Sequence, residues 1–138
     1  MTELEKCMAG LLYNCHDEVF LGFKEKSKEL LAVYNSLPYC EKEKKREILQ
    51  DMFGGIGDNV SVGTPFLCDY GRNIYIGKNV SINMNCTFID CNEIRIGSNV
   101  MVASNVQIYT ATHPVEFGQR MTLGWTPGCG EHFCQTYA

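Results

Sequence analysis

The sequence predicts a mainly β protein, a parallel β-helix preceded by a helical segment, and three observations carry that prediction. A unit of twenty residues is written three times with one opening, Ile-Gly-x-Asn-Val, at Ile56 to Val60, Ile76 to Val80 and Ile96 to Val100. Within each unit a period of six places an aliphatic or aromatic residue first and a smaller one four places on: Ile76/Val80, Ile82/Cys86 and Phe88/Asn92, then Ile96/Val100, Val102/Val106 and Ile108/Thr112. That period is neither helical nor a plain alternation. Third, Gly and Asn recur directly after the aliphatic positions, where a chain must turn a corner. Stacked hexads of this kind wind a triangular prism, each hexad one short face. Three hexads fill eighteen residues of a unit, and the two left over absorb a phase shift at one corner.

In chain order, residues 1–53 read as helical. Glu5, Met8, Leu11 and Leu12 mark a short amphipathic piece, and Asp17 is placed to cap a helix running through Val19, Phe20, Phe23, Leu30, Leu31 and Tyr34 to a stop at Leu37-Pro38. A third helix spans Glu41 to Met52 with Ile48, Leu49 and Met52 inward. Its Glu41–Glu47 run mixes both signs and reads as a solvated face with close ion pairs rather than a binding patch. Gly54-Gly55 breaks the helix, and residues 54–115 form the coils. Residues 116–138 read as a loop and an atypical tail that fits no hexad, so the chain is expected to be truncated or altered after about Met121, with the last coil uncovered.

Composition bounds the function. The chain has 138 residues, 45% of them hydrophobic and 20% charged, which describes one globular unit. A net charge of −4 offers no basic stripe for nucleic acid. Neither a signal-peptide core nor an apolar run of membrane-spanning length is found, so no membrane partner and a cytoplasmic location are expected. Of the eight cysteines, Cys68 and Cys86 occupy inward hexad positions, and reduced packing thiols are expected rather than a disulfide framework. The tail cluster Cys129, Glu131, His132 and Cys134 has no common zinc spacing, and no metal is expected.

His113 is the one histidine inside the repeats. It follows Thr112, expected to point inward, and precedes Pro114, which has no N–H to continue a ladder, so the imidazole is expected at a coil corner facing outward. An imidazole titrating near ~6.5 can accept a proton at neutral pH.

The hexads, Cys68-Asp69-Tyr70-Gly71, Asn83-Met84-Asn85, the Tyr109-Thr110-Ala111-Thr112-His113-Pro114 motif and the opening Lys6-Cys7-Met8-Ala9-Gly10-Leu11-Leu12-Tyr13 resemble the maltose and galactoside O-acetyltransferases, hexapeptide-repeat enzymes with a left-handed β-helix. The resemblance covers Met1 to roughly Val115. It implies an acetyl-CoA-dependent acetyl transfer to a sugar hydroxyl, with maltose, glucose or a galactoside as acceptor, His113 as general base, and a homotrimer whose active sites lie between neighbouring prisms. It also implies that the helical segment helps shape the acceptor pocket. Among substrate-binding candidates, Asn83 is either a turn asparagine or the residue beside the reacting hydroxyl. Asp69 is either a corner aspartate or an acceptor of sugar hydroxyl hydrogen bonds. Where the galactoside enzymes carry two aspartates this chain reads Asp90-Cys91, and their helix aspartate aligns with Cys15, with Asp17 close by; both differences favour the maltose type. The later coils that carry most acetyl-CoA contacts in the family have no counterpart in residues 116–138, so a non-catalytic β-helix module stands as the alternative. A carbonic anhydrase on the same prism would need several zinc histidines across coils, and only His113 is present there.

Overall fold

A computed structural model describes residues 1–118 and 120, and the backbone of 133–136. Helix α1 (Glu3–Met8) opens on a capping box in which Thr2 and Glu5 satisfy each other's backbone amides. It ends on Gly10 at φ 73°, with Gly10 N–H donating to Cys7 O and Leu11 N–H to Lys6 O, the Schellman pattern that a left-handed glycine allows. Leu11 and Leu12, expected on a helical face, therefore fall beyond the helix and are exposed. After the short strand β1 (Tyr13–Asn14) comes α2 (Glu18–Ser36), capped by Asp17, whose Oδ1 accepts from Val19 N at 3.1 Å. It stops before Pro38. Glu41 precedes α3 (Lys42–Met52), which buries Leu49 and Met52.

The coils follow as β2 (Gly55–Ile56), β3 (Val60–Val62), β4 (Phe66–Cys68), β5 (Ile74–Ile76), β6 (Val80–Ile82), β7 (Cys86–Ile89), β8 (Ile94–Ile96), β9 (Met101–Val102) and β10 (Gln107–Tyr109). They form three parallel faces, β2-β5-β8, β3-β6-β9 and β4-β7-β10. The register is one repeat, so Ile56 pairs with Ile76 and Ile76 with Ile96. The twenty-residue period of the sequence is thus the length of one turn of the prism. Five corner asparagines, Asn59, Asn79, Asn85, Asn99 and Asn105, have positive φ, which Asn tolerates better than most side chains. Asn59, Asn79 and Asn99 also form a ladder, Asn59 Nδ2 donating to Asn79 Oδ1 and Asn79 Nδ2 to Asn99 Oδ1, each at 3.1 Å. Asn79→Ala removes both rungs and places at φ 56° a residue without the polar side chain that eases the left-handed conformation, and it should cost about 1–2 kcal/mol in urea unfolding with an unchanged m value.

The core is filled by alternation of size. Phe66 pairs with Cys86 and Cys68 with Phe88, so each ring lies over a small thiol in the adjacent coil. The rings then pack edge to face along the prism, Phe53–Phe66 at 5.8 Å and Phe66–Phe88 at 5.3 Å. Cys68 and Cys86 are buried free thiols. Helix α2 closes the bottom coil: Asn35 Nδ2 donates to Phe66 O and its Oδ1 accepts from Phe66 N, both at 2.9 Å, so one side chain stands in for a missing strand. Tyr34 Oη donates to Val62 O beside it.

At the other end the hexad pattern fails. After Tyr109 the chain leaves the prism, and β11 (Ala111–Thr112) pairs antiparallel with β12 (Phe133–Thr136), which also pairs with β1. Thr110, not Thr112, is the buried threonine. Its Oγ1 accepts from Asn92 N at 3.0 Å and donates to Ile89 O at 2.7 Å, which ends the coil. Among the described residues no helix is long and apolar enough to cross a membrane, and no group of three metal-ligating side chains occurs. The tail cluster expected not to hold zinc lies outside the described side chains.

Candidate active site

The site begins at the corner that holds the two spare residues of each unit. Between β4 and β5 lie Asp69 to Asn73, and between β7 and β8 lie Asp90 to Glu93, in the first two coils a longer connection than at the other two corners. Gly71 sits there at φ +75°, and a Cβ would meet Met52 Cγ at 2.5 Å and Met52 O at 2.9 Å, so only glycine lets the corner close on α3.

Asp90 is wholly buried beneath this turn. Its Oδ1 accepts from the amides of Asp69 at 3.1 Å and Tyr70 at 2.9 Å, its Oδ2 from Asn73 N at 3.3 Å, and Asn73 Nδ2 returns a bond to Asp90 O at 2.8 Å. Burial pushes its pKa up to about 6, against the pull of those amides. A carboxylate enclosed in this way orders the turn and offers no oxygen at the surface. Expected among the substrate contacts, Asp90 is instead placed to position Asp69.

Asp69 is the half-buried counterpart. Its carboxylate Oδ2 accepts from Cys91 Sγ at 3.3 Å, and its carbonyl accepts from Ser27 Oγ on α2. Burial, with the Asp69 charge next, pushes the Cys91 thiol up, so it stays protonated and able to donate. An aspartate at 91 would set a second carboxylate beside Asp69, and one of the two would have to hold a proton. The pairing of an acid at 69 with a thiol at 91 is therefore electrostatically consistent. Around it pack Cys7, Tyr13, Phe20, Tyr70 and Cys91, with Cys15, Val19 and Phe23 at the margin, which brings the α1–α2 segment onto this corner. The Tyr13 hydroxyl is buried among them, and burial pushes its pKa upward. Cys15 faces His16 Nδ1 at 3.7 Å. Asp17 spends one carboxylate oxygen on the α2 cap.

His113 follows β11 and is exposed, with its backbone carbonyl accepting from Thr112 Oγ1 at 3.3 Å. It leaves the prism at the same corner, one coil above Asp90. Asn83 lies elsewhere, exposed at the corner between β6 and β7, with Oδ1 turned to Met84 N at 2.8 Å. Cys15 and Asp69 thus meet at this corner through Cys91, the chain passes it at Ala111 on the way to His113, and Asn83 lies on another corner. Sequence reading passed over Ser27, although a serine on the buried stripe Phe20–Phe23–Leu31–Tyr34 signals a polar partner beneath it.

Residues 6–57 match the description of the maltose acetyltransferase hexapeptide capping motif. An acetyltransferase-like protein of Saccharomyces cerevisiae is 38% identical over 122 residues, 88% of this chain and 62% of that protein. The crystal structure of a maltose O-acetyltransferase from Clostridium difficile is 38% identical and superposes with a TM-score of 0.89 over 99% of this chain and 68% of that one. The chain belongs to the maltose and galactoside acetyltransferase family. A galactoside acetyltransferase solved with coenzyme A, another structure of this family, is 29% identical and superposes at a TM-score of 0.88 over 99% of this chain and 64% of that one. The prism is accordingly the left-handed β-helix of the maltose and galactoside acetyltransferases. The chain spans between 62% and 68% of the length of these three relatives.

Proposed function

We propose that the chain carries the acceptor side of an acetyl-CoA-dependent sugar O-acetyltransferase. The observation that carries the reading is the exit of His113 from the prism at the corner that presents Asp69, in a fold that matches a maltose O-acetyltransferase and a coenzyme A complex along nearly its whole length. His113 takes the proton of a sugar hydroxyl as its oxygen attacks the thioester carbonyl. The tetrahedral intermediate then collapses, the C–S bond breaks, and the imidazolium returns the proton to the CoA thiolate, with no acyl-enzyme. Asp69 accepts hydrogen bonds from neighbouring sugar hydroxyls, and Cys15 and Asp17 border the pocket. Asn83 belongs to the site only if a second copy brings its corner against His113, which supports a homotrimer with sites between prisms. Cys15 and Cys91 in place of aspartates favour a maltose or glucose acceptor over a galactoside. A cytoplasmic setting suits this chemistry.

A second reading rests on β12, which folds back antiparallel on β11 and β1 where a further coil would otherwise stack. In that reading the chain is a β-helix module without a donor site. Calorimetry with acetyl-CoA, run beside a thiol-release assay with maltose, glucose and a galactoside, separates the two. Saturable binding with acceptor-dependent thiol release is the expected result. A folded chain that binds no acetyl-CoA would leave the module.

A further inference from the structure

A groove of about 490 Å³ lies between α3 and the face formed by β3 and β6, apart from the Asp69 corner and ending at Asn83. Its volume is within the range of small-molecule sites. One wall is cationic: Lys42, Lys45 and Arg46 line it from α3. The opposite wall carries Ser61 and Ser81, whose hydroxyls lie 3.4 Å apart. Among the described residues no carboxylate lies within ion-pair distance of Lys42 or Lys45, and only Arg46 has one, Asp58 at 3.7 Å. Both lysines instead rest their ammonium groups over aromatic rings, Lys45 over Tyr34 and Lys42 over Tyr39, each at 5.4 Å from the centroid. The Tyr34 ring is held by its hydrogen bond to Val62 O, so the Lys45 head is directed rather than free to roam.

Two lysines without a carboxylate partner and an arginine shared with Asp58, facing serine hydroxyls across a groove in a protein of net charge −4, are arranged for a compact anion. We propose that this groove binds a phosphate group, and that the phosphate belongs to a phosphorylated sugar acceptor. Two ammonium groups and a guanidinium match the charge of a phosphate monoester, and the serine hydroxyls and the Asn83 amide add donors. The contact with Asn83 links the groove to the reacting hydroxyl, so the acceptor part of the proposal rests on the acetyltransferase reading, whereas phosphate binding does not. The phosphates of CoA present the same chemistry and are the other source to be distinguished.

The test is a binding titration of the full chain with glucose 6-phosphate, glucose, inorganic phosphate and CoA, comparing wild type with Lys42→Gln/Lys45→Gln, whose side chains are surface-borne and whose fold is checked by circular dichroism. Glucose 6-phosphate should bind saturably, at least about tenfold more tightly than glucose. Inorganic phosphate should displace it, raised salt should weaken it, and the double variant should bind it about tenfold more weakly. If CoA displaces glucose 6-phosphate and loses affinity equally in the variant, the groove stands as a phosphate site and the acceptor assignment falls. Absence of phosphate binding by folded wild type, or equal affinity in the variant, overturns the site itself. Should the site bind phosphate while no sugar supports thiol release, the acetyltransferase reading fails and the groove survives.

Discussion

Replacing His113 with alanine should lower kcat for acetyl transfer by about a hundredfold to ten-thousandfold, the share usually supplied by a general base. The side chain is exposed after β11, so the far-UV circular dichroism spectrum and the unfolding midpoint should hardly change. KM for acetyl-CoA should change little, because the imidazole acts on the hydroxyl proton and not on the donor's binding groups. The check is steady-state thiol release by wild type and His113→Ala at one sugar concentration above KM, with His113→Asn as a control that keeps polar volume and cannot hold the proton. A rate within threefold of wild type would remove His113 from the chemistry and return it to the role of a corner residue.

The second large effect is on stability and falls on Asp90. Asp90→Ala leaves the buried amides of Asp69, Tyr70 and Asn73 without their acceptor. At about 1–3 kcal/mol for each orphaned group, the loss should be about 3 kcal/mol or more and should lower Tm by about 10 °C. The pH dependence gives a further reading of the same group. Its carboxyl ionises near 3.8 when unfolded and at about 6 in the fold. Between those values the native state holds a proton that the unfolded chain has released, so Asp90's contribution to stability declines as pH rises through the window and is level above it. The decline amounts to roughly 3 kcal/mol at 1.36 kcal/mol per unit. Urea titrations from pH 4 to pH 7 should show this slope in wild type and lose it in Asp90→Asn, which cannot ionise. Equal slopes in both proteins would mean that the amides around Asp90 hold it charged throughout.

Much of the fold was legible in the residues because the repeat states its own register. Ile56, Ile76 and Ile96 stand twenty apart in the chain and pair in the sheet, and the corner asparagines announce the left-handed turns. The helices were also legible, since Asp17 and Pro38 are local signals for where α2 starts and stops. The site was legible only in part. The motif singles out His113 as a candidate, and its exposure agrees with the outward position expected of it. Asp90 was read as a ligand contact because an aspartate at a turn is ordinarily solvated, and nothing in its neighbours reveals the three amides that enclose it from the coil below. Lys42 and Lys45 were read as a solvated face, since their lack of carboxylate partners depends on how α3 lies against β3 and β6.

By itself the sequence determined the period of the prism, which side chains point into it, and where its helical segment starts and stops. These are consequences of spacing, repeated in every coil, and each copy enforces the others. Only the tertiary structure decided what happens where the repetition lapses. At the corner with two spare residues, the amides of the coil below enclosed Asp90, and the thiol of Cys91 and Ser27 on α2 left Asp69 half-buried. At Tyr109 the hydrogen bonds of Thr110 and the pairing of β11 with β12 took the chain off the prism after its third coil and left His113 beyond it. Those outcomes depend on contacts between residues 17 to 85 apart in the chain, and no local pattern records them.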